Sequence, residues 1–390
     1  MALSSLERNN NSGAYVISQF ANDDLLWETG QSWGIGLEAR MFNRWNLNID
    51  YFNRRNKDLI FDVYNPLSAG ATSNEAAEST TTRNLGVISN KGLEISTDID
   101  VFKNKDWKIN LSASATYQTN KVVKLPEQNK DGIINGTKKI VEGKSMYMFY
   151  VYTWEGIDTY NGNSLYTFDD EKYYFEADGK TYGNTAGTMI SGSNLDYVVV
   201  IDGVPYTYRP STYGKKDFHG SALPDLFGSF GANVSWKSLT FNALFTYQLG
   251  GKVMDSNYQS LMSVSTIPSA LHKDVLNSWT TDDATAVHTI DRNGTPVVDR
   301  GLSTYNNTTS SRWLTSASYL VLKNLSLTYK LPKSLMDKLD IEGATVSLTC
   351  ENLFTLTKRQ GLNPQQTFNG TQSNSLVTPR VFSIGLNIKF

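Results

Sequence analysis

In stretch after stretch of this chain apolar and polar residues trade places at every second position. The stretch VFSIGLNIKF sets Phe382, Ile384, Leu386, Ile388 and Phe390 on one face, and Ser383, Gly385, Asn387 and Lys389 on the other. KGLEISTDIDV sets Leu93, Ile95, Ile99 and Val101 against Glu94, Ser96, Asp98 and Asp100. WKINLSASATYQ sets Trp107, Ile109, Leu111, Ala113, Ala115 and Tyr117 against Lys108, Asn110, Ser112, Ser114, Thr116 and Gln118. A period of two marks a strand with one apolar and one wet face. The same pattern predicts strands in WGIGLEARM, WNLNIDYF, SFGANVSW, LTFNALFTYQ, YLVLKNLSLTYKL and ATVSLTCENLF, and a hairpin from MYMFYVYTW and NSLYTF across DTYNGN. That is about eleven strands, each of about 9–14 residues and long enough to cross a bilayer at a tilt. Helical signals are confined to PKSLMDKL after Leu331 and PSALHKDVLNSW at 268–279, each opened by a proline.

The connections sort themselves by length. FNR between Met41 and Trp45, FKNKD between Val101 and Trp107, and KS between Trp236 and Leu239 are tight. The stretches 54–88, 120–145, 169–225, 250–317 and 355–378 are long and rich in Asn, Ser, Thr, Gly and Tyr. Short turns on one side and long loops on the other are the habit of outer-membrane barrels, with the short turns in the periplasm. A soluble sandwich has no reason to sort its loops so. The expected fold is therefore all-β, a portion of an antiparallel transmembrane β-barrel whose first and last strands both run towards the short-turn side. An odd number of strands with two free edges does not survive in lipid, so further strands are expected on the N-terminal side.

Composition narrows the chemistry. Charged residues are 19% and hydrophobic ones 39%, which is not a disordered composition, and a net charge of −2 gives no reason to expect a nucleic-acid partner. No run approaches the roughly 18 apolar residues of a membrane-spanning helix, which does not bear on strands. The start, MALSSLERNN, has no apolar signal-peptide core. Cys350 is the single cysteine, so no disulfide framework or thiolate cluster is expected. His219, His272 and His288 lie far apart, and neither HExxH, GxSxG nor a phosphate loop is present. No catalytic residue, cofactor or metal is expected, and Asp169–Asp170 and Asp282–Asp283 read as solvated loop charges, as do Arg292, Arg300 and Arg312 as loop or lumen charges. Trp27, Trp33, Trp45, Trp107, Trp236 and Trp313 fall near strand ends, where interfacial belts place amphipathic rings. The tyrosine-rich loop stretches EKYYF and YTYRPSTY offer Tyr173, Tyr174, Tyr206, Tyr208 and Tyr213 as contacts for cargo or for a lid partner, with loop self-packing the plainer reading.

Several longer stretches resemble one family. LLWETGQSWGIGLEARMFNRWNLNIDYFNRRNKDLIFDV, GVISNKGLEIS, ALPDLFGSFGANVSWKSLTFNALFTYQLGGKV, SASYLVLKNLSLTYKLP, ENLFTLTKRQGLNP and TPRVFSIGLNIKF are similar, in that order, to motifs of the SusC/RagA-like TonB-dependent outer-membrane transporters. The resemblance implies a nutrient importer of Bacteroidetes type, a 22-stranded barrel with a plug in its lumen. It implies uptake of glycans, glycopeptides or peptides, a SusD-like lipoprotein lid, and coupling to TonB. By this reading residues 1–390 are the C-terminal part of the barrel domain, with plug, TonB box and signal peptide outside this chain. The alternating stretch Phe382, Ile384, Leu386, Ile388 and Phe390 resembles the signal read by the barrel-assembly machinery. Two other readings stay open at this point: a soluble or surface β-protein that binds glycans on its loop tyrosines or cleaves them with Asp98 and Asp100 as the carboxylate pair, and a passive porin or adhesin.

Overall fold

The computed structural model describes residues 2–6, 14–64, 80–84, 86–177, 180–183, 187–264, 270–298, 303–358, 361–366, 369–372 and 378–390. Nine strands form one antiparallel sheet: β1 (Thr29–Met41), β2 (Trp45–Lys57), β3 (Val87–Lys103), β4 (Trp107–Lys124), β5 (Leu226–Trp236), β6 (Leu239–Leu249), β7 (Tyr319–Lys330), β8 (Gly343–Thr357) and β9 (Val381–Lys389). Within this sheet each strand pairs only with its neighbours in sequence, so the sheet is an unbroken meander.

The short turns are fixed by local chemistry. Phe42 and Asn43 both take positive φ, and the Arg44 N–H closes onto the Met41 carbonyl, as a turn twisted to match its strands requires. Asn104 accepts the N–H groups of Asp106 and Trp107 on its side-chain oxygen. The helix expected after Leu331 forms as α1 (Lys333–Leu339), opened by Pro332 and closed by Asp340 in the left-handed region. The second expected helix reduces, among the described residues, to a 3-10 turn at Lys273–Asn277; residues 268 and 269 lie outside them. Beyond that turn the chain is taken into pairing with Thr295, which receives the Trp279 N–H.

Of the eleven expected strands, two lie elsewhere. Met148–Tyr152 and Ser164–Thr167 are strands, but they pair with loop strands: Met148–Tyr152 with Lys216–Ser221, and Ser164–Thr167 with Trp154–Asp158 and Val204–Thr207. The two long stretches foreseen at 120–145 and 169–225 thus merge into one connection between β4 and β5. Alternation announces a two-faced strand and does not say which strand it pairs with.

Burial is inverted relative to a soluble β-protein. The largest fully buried side chains, Trp313, Tyr166, Phe149 and Phe168, all sit in the long connections. One loop core joins Phe149, Val151, Ala222, Met254, Met262 and Trp313; a second joins Phe168, Phe175, Ile190 and Tyr213. The apolar face of the main sheet stays open instead, with Ile35 71%, Phe382 72% and Ile384 82% exposed. No second sheet covers it among the described residues, unlike the inner faces of a soluble sandwich.

Candidate functional site

Residues directly opposite one another in an antiparallel sheet share a face, so the register maps both faces. One row crosses all nine strands: Met41, Trp45, Ile99, Leu111, Ala232, Ala243, Leu325, Cys350 and Phe382. Every member is apolar. A parallel row on the same face runs Val234, Phe241, Leu327, Leu348 and Ile384. The other face carries Asp100, Asn110, Asn233, Asn242, Ser326, Thr349 and Ser383 in one row, all polar. The next row on it runs Asp98, Ser112, Gly231 and Leu244, and the one after includes Glu38, Asn48, Ser96, Ser114, Ser229 and Thr246.

Aromatic rings bracket the apolar face. At the short-turn end Trp107 and Trp236 stack at 5.8 Å, beside Leu239 and Tyr329. Towards the loop end Trp33 leans on Tyr51 at 5.4 Å, and Tyr117 lies two strands on from Tyr51 in the same row. From Trp107 to Tyr117 is about 33 Å along β4, and a tilt of about 45° makes that about 23 Å of height, close to the apolar band of an outer-membrane barrel. Of the tryptophans expected in belts, Trp313 is instead 1% exposed in the first loop core, where its Nε1 donates to the Thr308 carbonyl.

The polar face is a bonded network. Asn110 Nδ2 donates to Asp98 Oδ1 and Asp100 Oδ1 at 3.1 Å each, and Lys108 Nζ stands 3.7 Å from Asp100. Asn120 donates to Asn90 at 2.7 Å, and the Ser114 and Ser229 hydroxyls meet at 2.9 Å. Nearer the loops, the Phe52 ring lies over Gly92 under the Arg54 guanidinium, 5.2 Å from the ring centre. A Cβ at Gly92 would meet that ring at 2.3 Å, so the position requires glycine for close approach. This face is lined by amides, hydroxyls and carboxylates and is readily wetted.

Above the sheet the connections 125–225 and 250–318 knit into a crown of small sheets. Its centre was not marked by any sequence motif. Asp158 is fully buried, accepts the Tyr160 N–H at 2.9 Å, meets His288 Nδ1 at 2.6 Å and accepts the Tyr208 hydroxyl. Burial first, and then the Asp158 carboxylate, push the Tyr208 phenol far above its usual range, so it stays a donor. Asp158 and His288 are 130 positions apart, which no local pattern connects. Burial likewise lowers His219, whose Nε2 meets the Thr153 hydroxyl at 3.0 Å, and raises Tyr166 to about 12.

The five tyrosines named from the sequence are thereby placed. Tyr213 is buried and meets Tyr173 edge-on at 5.3 Å within the second loop core; Tyr208 is tied to Asp158; Tyr174 and Tyr206 are half-buried in loop strands. Phe382, Ile384, Leu386 and Ile388 share the outward face of β9, and Phe390 follows it at 86% exposure. Asp170 pairs with Lys215 at 3.7 Å, Asp283 caps the turn after Thr280, and Arg312 lies 4.5 Å over Trp313; Arg300 is outside the described residues. No cluster of His, Cys, Asp or Glu able to hold a metal occurs among the described residues.

Comparison with known proteins agrees with this geometry. The chain is 26% identical to the TonB-dependent receptor P3 of Formosa agariphila, over 96% of its own length and 35% of that protein. It is 23% identical to the TonB-dependent receptor SusC of Bacteroides thetaiotaomicron, over 95% of its length and 32% of that protein. It therefore spans about a third of the curated relatives it matches. A solved structure of the RagAB peptide transporter superimposes with a TM-score of 0.70 at 26% identity, covering 100% of this chain and 38% of that one. Residues 3–200 match the model of the TonB dependent receptor-like, beta-barrel family, about half of the chain, and with an outward apolar face over a polar one this chain belongs to that family.

Proposed function

We propose that this chain is the C-terminal part of the barrel wall of an outer-membrane importer that takes up glycans, glycopeptides or peptides. The observation that carries the reading is the nine-residue apolar row facing away from the polar Asn and Ser rows. A sheet built so is stable with hydrocarbon on one side and water on the other. The remaining strands, a plug and the TonB-contacting segment belong to the rest of the full-length protein. Strands β1 and β9, each paired on one side among the described residues, join those strands to close the barrel. A SusD-like lipoprotein seats on the crown, where the tyrosine-rich stretches around Tyr174 and Tyr206 face lid or cargo. The outward residues of β9, ending at Phe390, serve the barrel-assembly machinery.

Uptake by cells with and without the full-length gene tests this reading. Depletion of one cargo class from a mixture of peptides and oligosaccharides is expected only when the gene is present and the proton-motive force is intact. Depletion that continues unchanged under an uncoupler would make the protein a passive pore.

A further inference from the structure

We propose that the loop-end outer face of β2, β3 and β4 binds a phosphorylated lipid headgroup in the outer leaflet; the proposal rests on the membrane reading above. Arg55, Ser89 and Lys121 lie directly opposite one another across these three strands. Lys91 stands one pair nearer the bilayer, between Asn53 and Thr119, and Lys57 and Lys124 flank Val87 one pair further out. Arg55, Lys57, Lys91 and Lys121 share the face of Tyr51, Leu93 and Tyr117 and so point outward, and Lys124 joins them opposite Val87 past a bulge in β4. None of them is in an ion pair among the described residues. Of the carboxylates at this end of the sheet, Glu28 and Glu142 are turned to the backbone N–H groups of Ile60 and Leu125, and Asp58 follows Lys57 just beyond the end of β2.

The placement selects the partner. Lys121 is four residues beyond the Tyr117 ring, which puts the cluster about 5 to 10 Å above the aromatic girdle, at headgroup depth. Three strands span about 10 Å, so the cluster matches a headgroup that carries more than one phosphate. Several unpaired cations facing a lipid surface and no carboxylate in the same rows give a strongly positive local field, the complement of phosphate. The cluster is also local. At the loop end of the same face β5 to β8 present Leu226, Leu249, Tyr247, Leu320 and Leu356, and the exposed Lys358 two residues past Leu356 is a single cation against the group on β2 to β4. A general interfacial belt would have spread its charges round the wall.

The test uses the full-length protein in detergent, titrated by native mass spectrometry with a bisphosphorylated glucosamine-disaccharide lipid and with the same lipid stripped of phosphate. The wild type is expected to retain the phosphorylated lipid and not the stripped one. The triple variant R55Q/K91Q/K121Q should bind it about 100-fold more weakly, and K91Q alone about fivefold. K105Q/K237Q/K330Q, an equal charge change at the short-turn end, should bind as wild type. Heat-modifiable migration confirms that each variant is folded, and K91Q serves if the triple variant is not. Equal retention of the two lipids, or equal losses in both triple variants, overturns the proposal alone. A protein recovered in soluble form without detergent would remove the membrane reading with it.

Discussion

Leu325→Lys in the full-length protein is expected to destabilise the folded barrel by about 2–4 kcal/mol in lipid vesicles, whereas Ser326→Lys is expected to change it by less than about 1 kcal/mol. The two residues are neighbours on β7 and receive the same new side chain. Leu325 stands between Ala243 and Cys350 in the apolar row, and Ser326 between Asn242 and Thr349 in the polar row. Lysine at Leu325 takes an ammonium into hydrocarbon near the middle of a strand, where snorkelling reaches neither interface well. Lysine at Ser326 enters a face of amides and hydroxyls. Denaturant titration of the reconstituted protein measures both. Equal losses for the two variants would mean that the faces are not differently solvated.

The second large effect is expected in the crown. Asp158→Ala should cost the loop sheets about 3–5 kcal/mol of local stability, because it leaves His288 and the Tyr208 hydroxyl without their buried acceptor. The opening should show as lost amide protection in Trp154–Asp158, Ser164–Thr167 and Val204–Thr207, which form one sheet with Val198–Ile201 and Ile290–Asp291. The main sheet should keep its protection, because its strands pair among themselves and not with these. Hydrogen exchange separates the two. Unchanged protection around Asp158 would show that the buried carboxylate is dispensable to the crown.

What the residue pattern disclosed and what it concealed follow from one distinction. Period-two alternation is local, so strands such as Val381–Lys389 and Trp107–Lys124 were legible, and so was the sorting of short turns from long loops. Pairing is not local. Met148–Tyr152 alternates as convincingly as any strand of the main sheet and joins Lys216–Ser221 instead. Trp313 lies near a strand start, like the belt tryptophans, but the turn at Ser311–Trp313 carries it into a loop core with Phe149 and Met254. The tyrosine-rich loops drew attention by composition, yet the fully buried carboxylate of the crown is Asp158, an acid whose partners arrive from positions 208 and 288. The cations Arg55, Lys91 and Lys121 were equally silent, because only register shows that they share a face.

Single-cysteine accessibility along β7, from Asn324 to Tyr329 in the full-length protein with native cysteines replaced, tests the central claim most directly. Spin labels at Leu325, Leu327 and Tyr329 should respond to oxygen dissolved in the bilayer, and labels at Asn324, Ser326 and Thr328 to a water-soluble nickel chelate, alternating at every residue. Labels that report the same medium on both faces, or apolar positions shielded from both reagents by a second packed layer, would contradict it.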